Sequence, residues 1–557
     1  MKKKLIVLTS LVVLFLVTLW LRLYKIDALS LYIDESAGHY LLNTVEIQRA
    51  AASPFSFIAI LFWRSYSLTW LFGYSVLGVR VLSAIYGAMI PISMCLVLMV
   101  VCKNKKVLII LTTVLTAFLP WNLMISRIGY SNIPLIVNLI LFHLYFFLGA
   151  RTIRGYLTSL LFLLLALPYY QSMVIMVPIF CLYVLLAMLR IASRKERRII
   201  LGVGLILAVL IANPIARRFR LSSISGRGLD LAIWRDVNTP WEIDKFRGLS
   251  WNSAPSIFSF NLPPEQLANK LFLNRVTANL SIFTKNYLSF FSPDWLFLKG
   301  DAILRHSTGM VGAFYPLLLP FMIYGAFKFF QTADKKARTA FLVWILVSPI
   351  PAALTKDGAG YLLRTVTMLP FLTYFCALGI VESFNLIHKK LKPFYFAFLS
   401  LIFIYSAWSF FYGYLHVYPA LSARAYEYGF KELSNFQVNH QNAPILVVWD
   451  GYYHNGDFRF WQRTPFDQYE AFKLKQIVIG ESTFWQTFPN LYFSSPKSVD
   501  DYNKFIKQYK PSFVILPDRY FVKYPLEIED FLDLVDKIKY PDQTIAFQIF
   551  TPHEKKE

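Results

Sequence analysis

Apolar runs the length of a membrane-crossing helix recur along this 557-residue chain, and short clusters of lysine and arginine separate them. A hydrocarbon core of about 30 Å takes roughly 20 apolar residues in a helix. Runs of this kind lie near residues 5–21, 77–101, 107–125, 133–150, 156–169, 172–189, 199–211, 311–330, 341–354, 365–381 and 394–415. The expected architecture is therefore an all-α polytopic membrane bundle of about eleven transmembrane helices, by the length each crossing requires. Charged residues make up 16% of the chain, against about 25% in an ordinary soluble protein. An aromatic content of 17% excludes a disordered chain.

The formal net charge is +23, and its distribution argues against a nucleic-acid partner. From His416 onward 16 Lys+Arg face 18 Asp+Glu, so the excess lies upstream. There it sits in clusters between apolar runs: Lys2-Lys3-Lys4, Lys103/Lys105/Lys106, Arg151/Arg154, Arg194-Lys195 with Arg197-Arg198, Lys335-Lys336 with Arg338, and Lys389-Lys390 with Lys392. Basic residues in short loops mark the cytoplasmic side. With Lys2–Lys4 inside, every cluster falls on an inner loop, and an odd number of spans leaves the C-terminus outside. A cleaved signal peptide is the alternative reading of the first run.

Two parts follow: a transmembrane domain at 1–415, with outer loops at about 22–73 and 213–310, and an extracytoplasmic α/β domain at 416–557. In the latter, 445–449 and 513–516 read as strands, and 499–509 and 526–539 as helices. Residues 264–290 carry apolar positions at the spacing of a helix lying on the membrane surface. The four cysteines, Cys95, Cys102, Cys181 and Cys376, all sit in or beside apolar runs, so they supply neither an external disulfide framework nor a metal motif.

The outer segments hold the candidate chemistry. Asp34-Glu35 precedes an amphipathic run from Ala37 to Arg49. Asp34 reads either as a helix cap with Glu35 favourable to the dipole, or as a carboxylate at the membrane face that takes a proton from an acceptor hydroxyl. Adjacent helical residues point about 100° apart, so one site does not receive both. Arg80, Arg127 and Arg364 lie at outer ends of spans, against the inside bias of basic residues. They either snorkel to lipid phosphates or clamp the phosphate of a lipid-linked substrate. Tyr130 accompanies Arg127 in the turn 126–132. Lys299, Asp301, Arg305 and His306 form either a solvated turn or a group of substrate ligands.

In order and placement these motifs resemble the GT-C superfamily of polytopic glycosyltransferases, specifically its family 39, protein-mannosyltransferase-like branch, which includes the enzymes that transfer aminoarabinose to lipid A. The matching stretches are Asp34-Glu35 with Tyr40, Leu77-Gly-Val-Arg80 through Gly87, Ser126-Arg127 with Tyr130, Phe291-Ser-Pro-Asp-Trp through His306, and Thr355 to Arg364. The resemblance covers about residues 1–415. It implies a polyprenyl-phosphate sugar donor, a protein, lipid or glycan acceptor, inversion at the anomeric carbon, and Asp34 as catalytic base. It also implies donor-phosphate roles for Arg127 and Arg364. Where many relatives carry a His-Pro-Pro-Leu-like stretch, this chain has Ser53-Pro54-Phe55. Some members use a divalent metal, and Asp34-Glu35 with His39 is a poor ligand set, so cofactor use stays open. A multi-pass protein of a prokaryotic plasma membrane, working at the outer face, is the expectation. The alternatives are a lipid-linked glycan transporter or flippase without chemistry, and a receptor whose C-terminal domain binds a ligand.

Overall fold

The computed structural model describes residues 2–46, 64, 67–103, 105–129, 132–198, 200–202, 204, 231–236, 239, 243–245, 271–451, 454–472, 474–518, 522 and 524–553. Helices dominate as far as Ser422, and a mixed α/β region follows. Among the described residues five helices are long and apolar enough to cross a membrane: Leu5–Ala28, Val76–Val101, Met173–Ile191, Leu362–Leu386 and Lys389–Ser422. The pair Lys106–Phe118 and Pro120–Ser126, bent by 49°, makes a sixth if taken as one span.

Several expected runs are realised as shorter helices: Ile133–Gly149 and Ile153–Leu165, and Leu319–Thr332 and Lys335–Val347. Proline accounts for one of these breaks. The run at 341–354 is interrupted at Ser348-Pro349 and resumes only as Ile350–Ala353. The run at 199–211 falls mostly outside the described residues.

The helices carry their own evidence of a lipid environment. Only 6% of the apolar window in Lys389–Ser422 is buried by protein, and Phe394, Tyr405 and Trp408 are bare. Water does not tolerate such a surface, whereas hydrocarbon does, because the helix satisfies its own backbone. Pro91, inside Val76–Val101, has no N–H for the carbonyl of Gly87. The Asn122 amide reaches that carbonyl at 3.4 Å, after its stronger bond to Thr116 O at 2.8 Å.

Contact clustering divides the chain into two compact units. The first comprises Met1–Leu19, Tyr86–Ser126 and Asn132–Phe410. Its core is aromatic, with Trp344 stacked on Phe180 at 3.7 Å. Helices Leu319–Thr332 and Leu369–Leu386 approach so closely that a Cβ at Gly325 or Gly379 would strike backbone of the other helix. Small residues let membrane helices pack in this way.

The second unit comprises Trp20–Ile85, Arg127–Ser131 and Phe411–Glu557. The sequence reading divides the chain at residue 415; the described residues of the first outer loop group with the chain from Phe411 onward. A seven-stranded sheet of order β2-β3-β4-β1-β5-β7-β6 forms its core. Strands β1 (Ile445–Val448), β4 (Leu491–Ser494) and β5 (Phe513–Pro517) are parallel neighbours. β1 and β4 are buried along their full length, as central parallel strands are.

The remaining strands, β2 (Lys475–Ile479), β3 (Ser482–Phe488), β6 (Leu532–Lys539) and β7 (Ile545–Pro552), pair antiparallel. Helix Val499–Tyr509 forms as expected, capped by Ser498. The expected helix at 526–539 does not form. Leu526–Phe531 makes a short 3-10 turn, and the rest becomes edge strand β6. Its alternation Leu-Asp-Leu-Val-Asp-Lys-Ile-Lys suits an exposed edge laid on the buried β7.

Candidate functional site

In the second unit the site is built on helix Ile33–Tyr40, which carries the acidic pair in its first turn. The two carboxylates have opposite fates. Glu35 is buried, and its oxygens accept from Arg80 Nε at 2.9 Å and Nη2 at 2.8 Å. The Tyr32 amide donates to Glu35 Oε2 at 3.1 Å, and the Gly129 amide donates to Oε1. Burial, the largest influence, raises the Glu35 pKa; the Arg80 charge and hydrogen bonds and the two amides outweigh it, so the net shift is downward. Asp34 is exposed, and among the described residues its carboxylate is engaged with no partner.

Arg80 is fully buried. Besides Glu35 it donates to Ile26 O, Leu29 O and Ser30 O at 3.1, 2.9 and 2.6 Å. All five N–H groups of a guanidinium are thus used inside the loop. Arg127 behaves likewise, donating to Leu21 O, Arg22 O, Lys25 O and Tyr414 Oη between 2.8 and 3.1 Å. The sequence suggested that these arginines meet a donor phosphate. The structure turns both onto the first loop's own carbonyls, where they fix its path.

His39 is buried one helical turn beyond Glu35, with Nε2 donating to Gly129 O at 2.9 Å. Burial, the largest influence, lowers its pKa, against the Gly129 carbonyl and Glu35, which raise it. The Gly129 peptide is therefore held at both ends, by Glu35 and His39. A Cβ at Gly129 would sit 2.5 Å from Val79 and 2.8 Å from Glu35 Oε1, so only glycine fits. Helix Ile33–Tyr40 packs on helix Asn455–Trp461. Ser36 donates to Asp457, Tyr40 Oη donates to Thr464 O at 2.9 Å, and Ala37 abuts Gly456. Tyr130 lies outside the described residues.

In the first unit, Asp301 and His306 form a buried pair, with His306 Nδ1 2.9 Å from Asp301 Oδ2. Asp301 also accepts from the amides of Ile303 and Leu362, each at 2.8 Å. This carboxylate ties the turn after Gly300 to the start of the Leu362 helix. A pocket beside it is lined by Trp121, Trp295, Asp301, His306, Thr308 and Phe410, among others. Trp295 Nε1 donates to Gly360 O at 2.6 Å, so the indole holds the neighbouring outer turn.

Tyr361 packs between two basic side chains. The His306 ring lies 4.9 Å from its ring, and the Arg364 guanidinium 4.0 Å from its centroid. Burial, the largest influence, raises the Tyr361 pKa, while the charges of Arg364 and Arg305 lower it. Arg364 Nη1 donates to Thr355 Oγ1 at 2.6 Å and to Asp357 Oδ1 at 2.8 Å, and Nη2 to Asp357 Oδ2 at 3.3 Å. Lys299 is exposed and 3.5 Å from Asp294. The sequence reading singled out Arg364, Arg305 and His306, and missed Asp357 and Tyr361. Their only signal was membership of the polar turn 355–364.

The described side chains of the first loop do not form a metal site. Glu35 is taken by Arg80, His39 by Gly129 O, and Asp34 faces outward. Among the described residues no group of His, Cys, Asp or Glu is arranged to hold an ion.

No family model and no curated protein matches the chain. Among solved structures it is similar to the archaeal oligosaccharyltransferase AglB from Archaeoglobus fulgidus in complex with an inhibitory peptide and a dolichol-phosphate. There the identity is 13% and the TM-score 0.46, over 100% of this chain and 75% of that one. The apo form of the Archaeoglobus fulgidus oligosaccharyltransferase gives 13% and 0.46, over 99% and 74%. Overlaps this loose assign no function.

Proposed function

We propose that the protein is an inverting glycosyltransferase that moves a sugar from a polyprenyl-phosphate donor to a hydroxyl acceptor at the outer face of a plasma membrane. The observation that carries this reading is the unequal treatment of the acidic pair. Glu35 is locked by a buried arginine and two backbone amides, and the adjacent Asp34 is left exposed, without a partner among the described residues, on a helix anchored at both ends. A carboxylate so placed suits a general base: it is mounted on a fixed helix and open to an approaching hydroxyl.

In the proposed step the acceptor hydroxyl attacks the anomeric carbon from the face opposite the phosphate. Its proton passes to Asp34. The carbon–oxygen bond to phosphate breaks, and the lipid phosphate departs with the electron pair. Charge growing on that phosphate calls for cations. Arg364, Arg305 and Lys299 are proposed for that role on their places in the outer segments of the sequence alone, because Arg80 and Arg127 donate to neighbouring groups of the protein itself. The resemblance to family 39 supports the same donor class. No nucleotide-sugar site is required, since phosphate is already the leaving group. The acceptor is a protein, lipid or glycan hydroxyl.

The test uses purified full-length protein in lipid nanodiscs, a panel of radiolabelled polyprenyl-phosphate sugars and an envelope extract as acceptor. Transfer from one donor supports the proposal and names the sugar. Binding of donors with no transfer from any of them contradicts it and favours a transporter.

A further inference from the structure

We propose that Asp357 is a resident stand-in for the donor phosphate, occupying the Arg364 fork until the phosphate of a polyprenyl-phosphate lipid displaces it. The inference rests on the reading that Arg364 receives that phosphate. It adds a placeholder carboxylate that sets the affinity.

The geometry separates a fixed partner from a movable one. Arg364 is fixed: its side chain is only 14% exposed, lies over the Tyr361 ring, and donates to Thr355 Oγ1. Thr355 is itself pinned, its hydroxyl donating to Ala352 O at 2.7 Å and its carbonyl accepting from Asn286 Nδ2 at 2.8 Å. Asp357 is the movable member, with a side chain 45% exposed. The backbone around it is held, by Lys356 N to Leu231 O at 2.7 Å and Gly358 N to Thr355 O at 3.1 Å. The carboxylate therefore leaves by side-chain rotation alone, without unfolding the turn.

Chemistry explains why an aspartate stands there. A largely buried guanidinium at the start of an apolar span needs an anion beside it. Two parallel N–H···O bonds suit a carboxylate and a phosphate equally, and the phosphate brings more oxygens and more charge. Asp357 is held ionised: burial, the largest influence, raises its pKa, and Arg364 more than reverses that. An ion pair with one half-exposed partner is weakly held in water, so a phosphate can replace it.

The test measures binding of radiolabelled polyprenyl phosphate to the full chain in nanodiscs, with inorganic phosphate as a second probe. Asp357→Asn should tighten polyprenyl phosphate by about two- to fivefold, the range an exposed ion pair supports, and Asp357→Glu should return it towards wild type. Arg364→Gln should weaken binding about tenfold or more. The lipid probe should respond far more strongly than inorganic phosphate; equal response to both would overturn the lipid assignment. Unchanged or weaker binding by Asp357→Asn, with melting unchanged and Arg364→Gln still defective, overturns the placeholder. Should Asp357→Asn melt early, Asp357→Ser read by the same assay decides between the two. Undiminished binding by Arg364→Gln instead overturns the underlying role of Arg364.

Discussion

Arg80 holds both carboxylate oxygens of Glu35, at 2.9 and 2.8 Å, across 45 residues of sequence. The pair is fully enclosed, and the rest of the guanidinium is spent on three loop carbonyls. Removing one partner of a buried ion pair strands the other, at a cost of about 3–5 kcal/mol. Arg80→Ala and Glu35→Gln should each lower the melting temperature markedly. A Glu35→Gln/Arg80→Met double variant should recover part of the loss. Thermal unfolding in detergent measures all of these, and additive losses would show that the two residues act independently.

The same loop should respond to pH in two windows. His39 has a folded pKa below its ordinary value, so the folded state favours the neutral ring. Its contribution is complete above about pH 6.5 and is lost as pH falls through the lowered folded value. Glu35 is also lowered. Its contribution is present above the ordinary glutamate range and is lost as pH drops below that range through its folded value. Melting temperature should therefore fall first below about pH 6.5 and again in the acid range. His39→Gln should abolish the first step alone, while a His39→Gln curve that retains both steps would point to another histidine.

Gly379 should tolerate no side chain. A Cβ there would meet backbone atoms of Phe321, and one at Gly325 would meet backbone of Phe375. Backbone cannot rotate aside, so the helices must separate and lose their contact. Overpacking of this kind costs about 1–3 kcal/mol or more. Gly379→Ala should lower thermal stability with no effect on donor affinity in the surviving folded fraction, measured by melting and by polyprenyl-phosphate binding.

Among the described residues five of the eleven expected spans form helices long enough to cross a membrane, and the acidic pair does open a helix, because both have local signals. Apolar run length marks spans whatever their packing, and Asp34-Glu35 before an amphipathic run marks a helix start. The sequence did not carry the partners. Nothing near Glu35 announces Arg80, and nothing in Ser126-Arg127 announces that the guanidinium folds back onto Leu21, Arg22 and Lys25. Outward arginines looked alike in sequence; the fold spends two of them internally and leaves Arg364 facing a replaceable aspartate. Strand β6 was misread as a helix for a related reason. Its charges at Asp533, Asp536, Lys537 and Lys539 fit a solvated helix face as well as an exposed sheet edge, and only pairing with β7 decides.

The most direct test of the central claim is single-turnover sugar transfer by Asp34→Asn, run beside wild type on the donor identified from the panel, with donor binding and melting measured on the same preparations. The account predicts a loss of about 10²–10⁴-fold in the transfer rate, with binding and melting unchanged, because Asp34 is exposed and engages no neighbour among the described residues. Near-normal transfer by the variant would contradict it, and would leave the acidic pair a structural device built around Glu35.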